Sequence, residues 1–259
     1  MATGRRGPEP GPDAGVVDEG ATLEQLLGDL AGGPLGSAPG GEVRQSIAAM
    51  VGHVEYPCLG AKSVFRRDTV THLVLGDLAA EESAQATLQG LRGFAEDADD
   101  DEEFRSFVVT FRRPTDLDEP TFERLLWELL QRIHDDDDRP WAPEVSADPA
   151  NPHFAFSAGG SAYFVVGLHP GASRIARRAP LPTIVFNPHA QFEQLRQSGR
   201  FDGMRTVIRR RDRDLQGSVN PMATDHGEAS EALQYSGRAH PANWQPPLEV
   251  HAPTEGQHS

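Results

Sequence analysis

Three groups of side chains have types and spacings suited to chemistry. The first is a lone cysteine, Cys58, in the run Tyr56-Pro57-Cys58-Leu59-Gly60-Ala61, followed by Lys62, Arg66 and Arg67. Nearby positive charge lowers a thiol pKa and makes the thiolate available as a nucleophile or metal ligand. From spacing alone, a single cysteine reads first as a small buried residue. The second group is His169, His189 and Glu193, with His189 and Glu193 four residues apart on an expected helix and His169 at the end of an earlier strand. Two histidines and a carboxylate are the ligand set of a non-haem Fe(II) oxygenase, although such a trio arises easily among ten His and 39 acids. The third group is arginine. Between Arg174 and Arg213 stand ten Arg against three acids, in a chain whose net charge is −15.

Guanidinium forks bind carboxylate or phosphate in a bidentate way, so a basic island in an acidic chain points to a specific anion at a site. Arg174, Arg177 and Arg178 follow a strand end, and Arg209, Arg210 and Arg211 fall on the last expected helix. For most of these arginines the preferred reading is a solvated face paired with the acidic stretches at 96–103 and 135–138. Further on, Asp225, Glu228 and Glu231 can offer carboxylates to a cationic ligand, or simply complement a helix start.

The elements that must position these groups follow from periodicity. Thr69–Leu75, Phe107–Phe111, Tyr163–Leu168 and Thr183–Phe186 read as strands, and Phe154–Phe156 joins Tyr163–Leu168 in a hairpin around Ser157-Ala158-Gly159-Gly160. In Pro120–Ile133, Phe122, Leu125, Leu126, Leu129, Leu130 and Ile133 form one apolar stripe. Pro120 suits the first turn, and the acids Asp135 to Asp138 oppose the dipole at its end. Helices are also expected over 42–52, 79–95, 191–197 and 201–215, with Met204, Val207 and Ile208 turned inward on the last. Thr22 to Gln25 can form a capping box for a short helix. Tyr56–Ala61 reads as an irregular loop, and the chain beyond Gln216 as loop-like. The order β-α-β-α-β-β-β-α-α predicts a single α/β (α+β) domain with a mixed central sheet flanked by helices. Its expected limits are 42–248, with a flexible Gly/Pro-rich tail carrying one short helix over 1–41 and a flexible C-terminus over 249–259.

Composition narrows the classes of function. The acidic balance argues against nucleic acid and anionic membrane as partners. One cysteine excludes an internal disulfide and fits a reducing cytoplasm. No apolar run suggests a signal peptide or a membrane span, so a soluble cytoplasmic protein is expected. There is no G-x-G-x-x-G after a strand, no Walker loop and no G-x-S-x-G.

An ordered string of short motifs carries a resemblance. Tyr56-Pro57-Cys58, Val166-Gly167-Leu168-His169-Pro170 with Ser173-Arg174, and Val185-Phe186-Asn187-Pro188-His189 with Gln191-Phe192-Glu193 come first. They are followed by Arg209-Arg210-Arg211-Asp212, Leu215-Gln216-Gly217-Ser218 with Asn220-Pro221, and Gln234-Tyr235-Ser236-Gly237-Arg238. Together they resemble the YqcI/YcgG family over roughly Val54 to Leu248. The resemblance implies a haem-dependent monooxygenase that N-hydroxylates the guanidine group of free arginine or a related amino acid, in natural-product biosynthesis. It implies Cys58 as axial haem ligand, with His169 as the competing ligand. Arg174, Arg177 and Arg178 would pair with haem propionates, and Glu228 and Glu231 would hold a guanidinium. With no C-x-x-C-H, the haem b would be non-covalent. O2 and an external electron donor, a ferredoxin or flavodoxin, are then required. Two other readings stand beside it: a non-catalytic haem-binding protein, and a non-haem Fe(II) oxygenase using His169, His189 and Glu193.

Overall fold

The computed structural model describes residues 20–31, 33–97, 104–220, 222, 228–241 and 243–251. Most of the acidic stretch at 96–103 and Asp225 lie outside the described residues, as do positions 1–19 and 252–259. Among the described residues, seven α-helices and five strands form one α/β domain. The helices are α1 (Leu23–Ala31), α2 (Gly40–Gly52), α3 (Leu59–Arg67), α4 (Glu81–Glu96), α5 (Glu119–Asp135), α6 (His189–Gln197) and α7 (Phe201–Gln216). The strands are β1 (Val70–Asp77), β2 (Ser106–Arg113), β3 (Phe156–Ala158), β4 (Ser161–Leu168) and β5 (Thr183–Pro188). From β1 onward the order matches the expected β-α-β-α-β-β-β-α-α, and the sheet runs β1-β2-β5-β4-β3. The β1–β2 pair is parallel, and the other three pairs are antiparallel. The sheet is therefore mixed.

Alternation along the three central strands gives the sheet two unlike faces. Phe107, Val109 and Phe111 of β2, Ile184 and Phe186 of β5, and Tyr163 and Val165 of β4 are buried in one core with α4 and α5. The apolar stripe of α5 supplies Phe122, Leu125, Leu126, Leu129, Leu130 and Ile133 to it, none more than 5% exposed. Asp118 caps α5, accepting the Thr121 N–H at 2.8 Å. The four acids after it do not end it as a block: Asp135 is still helical and Asp136 is the C-cap. Asp137 accepts from Arg92 of α4 at 2.7 Å and from the Gly159 N–H at 2.6 Å, joining α4 to the hairpin. At that hairpin, Gly159 and Gly160 both have positive φ, the conformation a two-residue turn between right-twisted strands requires.

The opposite face carries Val166 and Leu168 of β4 and Val185 of β5, packed with α2, Tyr56 and the start of α3. Helix α1, inside the stretch read as a tail, docks here through Leu23 and Leu27. Its capping box forms, with Thr22 N–H to Gln25 Oε1 at 2.8 Å and Gln25 N–H to Thr22 Oγ1 at 3.2 Å. Tyr56–Ala61 is only partly the irregular loop expected. Pro57 precedes Cys58, which is extended at φ −77° and ψ 109°, and α3 starts at Leu59 with Cys58 as its N-cap. The segment after α7 is held against α5: Ser236 Oγ and Arg238 Nη1 donate to the buried Glu123 carboxylate at 2.9 and 2.8 Å. No helix among the described residues is long and apolar enough to cross a membrane.

Gly167 shows how closely α5 approaches the sheet. A Cβ there would lie 2.7 Å from both Leu126 Cδ1 and Phe122 Cε1, whereas a Cβ on Gly203 of α7 would meet nothing within 4 Å. Gly167→Ala should therefore destabilise by about 1–3 kcal/mol through overpacking. Gly203→Ala should stabilise by about 0.5–1 kcal/mol through helix propensity. Urea midpoints at constant m-value would show both shifts, of opposite sign.

Candidate functional site

The second face of the sheet is not fully packed. A cavity of about 390 Å³ lies over it. Its floor is Ser106 and Val108 of β2, Thr183, Val185 and Asn187 of β5, and Phe164, Val166 and Leu168 of β4. Helices α2, α3, α6 and α7 form the walls, with residues from the 3₁₀ turns Ile175–Arg177 and Glu231–Gln234. Ile47, Met50, Val64, Phe65, Met204 and Ile208 make much of the lining apolar.

Cys58 lies on this wall because α3 begins there. Its Sγ accepts the Ala61 N–H at 3.4 Å, as a cap does. Burial pushes the thiol pKa up, while the N–H groups of Ala61 and Gly60 and the charge of Arg177 pull it down. The net direction is upward, so the thiol keeps its proton until something in the cavity displaces it, as a bound metal ion does. Tyr56, beside it, has its hydroxyl pKa raised, chiefly by burial.

Arg177 and Arg174 both line the cavity, in different states. Arg177 is half-buried and donates to three carbonyls, Gln234 O at 2.9 Å, Gly167 O at 3.2 Å and Tyr235 O at 3.5 Å. These bonds engage both terminal nitrogens; among the described residues Arg177 makes no salt bridge, burial lowers its pKa, and the charge of Asp212 opposes that. Arg174 is paired with Asp212 at 2.7 Å and also donates to Ser218 O at 2.8 Å. Asp212 accepts the Asn220 N–H at 2.9 Å as well, and Gln216 Oε1 accepts the Ile175 N–H at 2.7 Å. Motifs dispersed along the sequence thus meet in one bonded cluster behind the cavity. Arg178 lies elsewhere: it bonds Ala172 O and Glu24 of α1, outside the cavity lining.

The histidines separate by face of the sheet. His169 is 1% exposed and stacks on Phe122 of α5, ring centroids 4.4 Å apart. Burial lowers its pKa to about 4, opposed by Glu119, the Leu117 carbonyl and Asp118. It does not line the cavity, so as a ligand competing with Cys58 it is displaced by its position. His189 opens α6 and does line the cavity, but Glu193 bonds Arg196 and is not part of the lining. The expected His169/His189/Glu193 metal site therefore does not assemble. Among the described residues no three His, Cys, Asp or Glu side chains are grouped to hold a metal ion.

The two glutamates also part. Glu228 is exposed and outside the lining; Glu231 lines the cavity. The Tyr235 hydroxyl donates to Glu231 Oε1 at 2.7 Å and accepts the Phe156 N–H at 3.0 Å. Burial raises the Glu231 pKa to about 8, against the lowering effects of the Tyr235 hydrogen bond and the charge of Arg196. Glu231 is thus a neutral acid at pH 7, ready to ionise beside a cation. Arg196 lines the cavity too and was not singled out from sequence. The available signal was its place with His189 and Phe192 at i, i+3 and i+7 on one face of α6.

The comparisons with known proteins come from sequence alone, since no solved structure matches. The chain is 28% identical over 162 residues to "Uncharacterized protein YcgG" of Bacillus subtilis (strain 168), covering 60% of this chain and 64% of that one. It is 26% identical over 163 residues to "Uncharacterized protein YqcI" of the same organism, covering 61% and 64%. The matched region thus spans a little under two thirds of each relative's length. The model of the YqcI/YcgG family matches residues 47–249, from α2 to beyond the segment tied to α5. The chain belongs to the YqcI/YcgG family.

Proposed function

We propose that the cavity binds haem b non-covalently beside a guanidino amino acid, and that the protein N-hydroxylates the guanidine group of free arginine or a close relative. The observation that carries this reading is that the Cys58 thiol and the Glu231 carboxyl line the same largely apolar cavity, with Arg177, which makes no salt bridge among the described residues, in its walls. These residues fit the group. A flat apolar macrocycle suits the floor and the α2–α3 wall, a soft sulfur donor suits iron, and Arg177 is a cation in want of an anionic partner.

When bound, haem would supply O2 activation: with two electrons from an external ferredoxin or flavodoxin and two protons from solvent, one oxygen atom would pass to the guanidine nitrogen and the other leave as water. The chain's own residues supply the rest. Cys58 would hold the iron as thiolate, its charge balanced by Arg177 and its orientation fixed by the Ala61 N–H. Arg174 is committed to Asp212, so it shapes the wall. Glu231, oriented by Tyr235, would receive the substrate guanidinium and give up its proton. Helices α6 and α7 would keep bulk water from the reacting nitrogen. A reducing cytoplasm suits both the free thiol and such electron donors.

Cys58→Ser tests the ligand without removing the cap, because serine is also a good N-cap. The variant should fold like the wild type and lose the red-shifted carbonmonoxy Soret band of a thiolate-bound haem. An unchanged band would remove Cys58 from the iron.

Glu231 gives a test that is independent of iron. Because its carboxyl is neutral below about pH 8, pairing with a guanidinium cation must release a proton. Arginine affinity should rise about tenfold per pH unit up to that value and then level off. Calorimetry in buffers of different ionisation enthalpy should show about one proton released at pH 7, and Glu231→Gln should abolish both effects. Affinity independent of pH in the wild type would exclude Glu231 as the guanidinium partner.

A further inference from the structure

A second cavity, about 850 Å³, opens between α3 and the α6–α7 pair. Among the described residues its lining carries five cations, Lys62, Arg66, Arg67, Arg200 and Arg211, and no Asp or Glu. In a chain of net charge −15, a concavity whose described lining holds cations and no acid runs against the composition. Lys62 and Arg66 are four apart on α3 and rise from one face of it. Arg211 reaches in from α7.

The amine of Lys62 donates to His53 O at 2.5 Å and Val54 O at 3.3 Å, which satisfies it without cancelling its charge. Among the described residues no carboxylate pairs with Lys62, Arg66 or Arg211. One nitrogen of Arg211, Nη1, is shielded from solvent and meets no acceptor among the described residues, a state that buried donors rarely keep. The three charges are close enough to oppose one another: after burial, Arg211 and Arg66 are what lower the Lys62 pKa. Gln194, Gln197 and Ser198 add neutral hydrogen-bonding groups around them.

We propose that this cleft binds a small ligand through a phosphate or pyrophosphate group held by Lys62, Arg66 and Arg211. A compact polyanion matches three convergent cations and offers enough acceptor oxygens for two guanidinium forks and an ammonium. A single carboxylate would leave most of that charge unanswered. The cleft shares Gly60, Phe104 and Met204 with the first cavity, so the ligand lies against a wall common to both. This site stands on its own residues and does not depend on what the first cavity holds.

The test is isothermal titration of the full chain with sodium pyrophosphate and with inorganic phosphate at low salt. Arg66→Gln and Arg211→Gln are compared with Arg124→Gln, a substitution at the Glu128 ion pair on α5. Arg66 is exposed, so its loss leaves folding intact, which thermal unfolding without ligand verifies. Expected are one pyrophosphate per chain, weaker binding at higher salt, at least a tenfold loss in Arg66→Gln and Arg211→Gln, and no change in Arg124→Gln. Absence of binding at millimolar pyrophosphate overturns the proposal. So does equal binding by all three variants, which would place the anion elsewhere on the arginine-rich surface. Preference for poly-glutamate over pyrophosphate would also overturn it, since the cleft would then be a docking face for acidic protein.

Discussion

A half-buried guanidinium, Arg177, that makes no salt bridge among the described residues is the constraint on which the cavity depends. Burying an unpaired charge is costly unless dipoles or counter-charges surround it. Arg177 meets that cost with three carbonyls, one from β4 and two from the turn at 234–235. The bonds clamp the C-terminal segment onto the sheet, reinforced by the Gly167 N–H to Tyr235 O bond at 2.7 Å. They also leave a net positive charge beside Cys58 and Tyr56. Asp212, which also favours the charged form of Arg177, is already engaged by Arg174. The electrostatics of the cavity therefore favour an added negative charge, whether a thiolate or an anionic edge of a ligand.

The fold allows this by dividing labour between the faces of one sheet. The α4–α5 face is filled with aromatic and branched side chains and supplies the hydrophobic stabilisation. The opposite face can then be left partly hollow, with polar residues where a packed core would have none. Asn187, for example, accepts from Ser106 Oγ at 2.7 Å and donates to Phe164 O at 3.2 Å, so it is satisfied and fixed on the cavity floor. Such local departures from ideal packing are what functional sites ordinarily require.

The parts legible in the sequence were those set by short-range periodicity. The stripe of α5 and four of the five strands emerged close to where expected, because each depends on its own residues. The first hairpin strand instead runs Phe156–Ala158, two residues beyond the expected Phe154–Phe156, because Ser157 and Ala158 pair with β4 and leave only Gly159-Gly160 in the turn. Helix α3 was obscured: Pro57 and Gly60 signal a loop, and cysteine is not a usual cap, yet Pro57 only fixes the approach and the helix starts after Cys58. The site was less legible because membership depends on which face a residue reaches. His169 continues the parity of Tyr163, Val165 and Gly167, and so falls against Phe122 on the α5 side. Arg177 and Arg178 are neighbours, yet one enters the cavity and the other bonds Glu24 of α1, 154 positions away. Glu231 could be separated from Glu228 only through Tyr235, whose hydroxyl reaches across 79 positions to Phe156.

Cys58 is at once a wall of the cavity and the first fixed point of α3. A sulfur that shifts toward an occupant must carry the Ala61 amide with it or surrender that bond. The opening turn of α3 is thus geared to the cavity contents, and the same helix presents Lys62 and Arg66 on its outer side. Inner chamber and outer cleft are thus walled by one and the same turn of backbone.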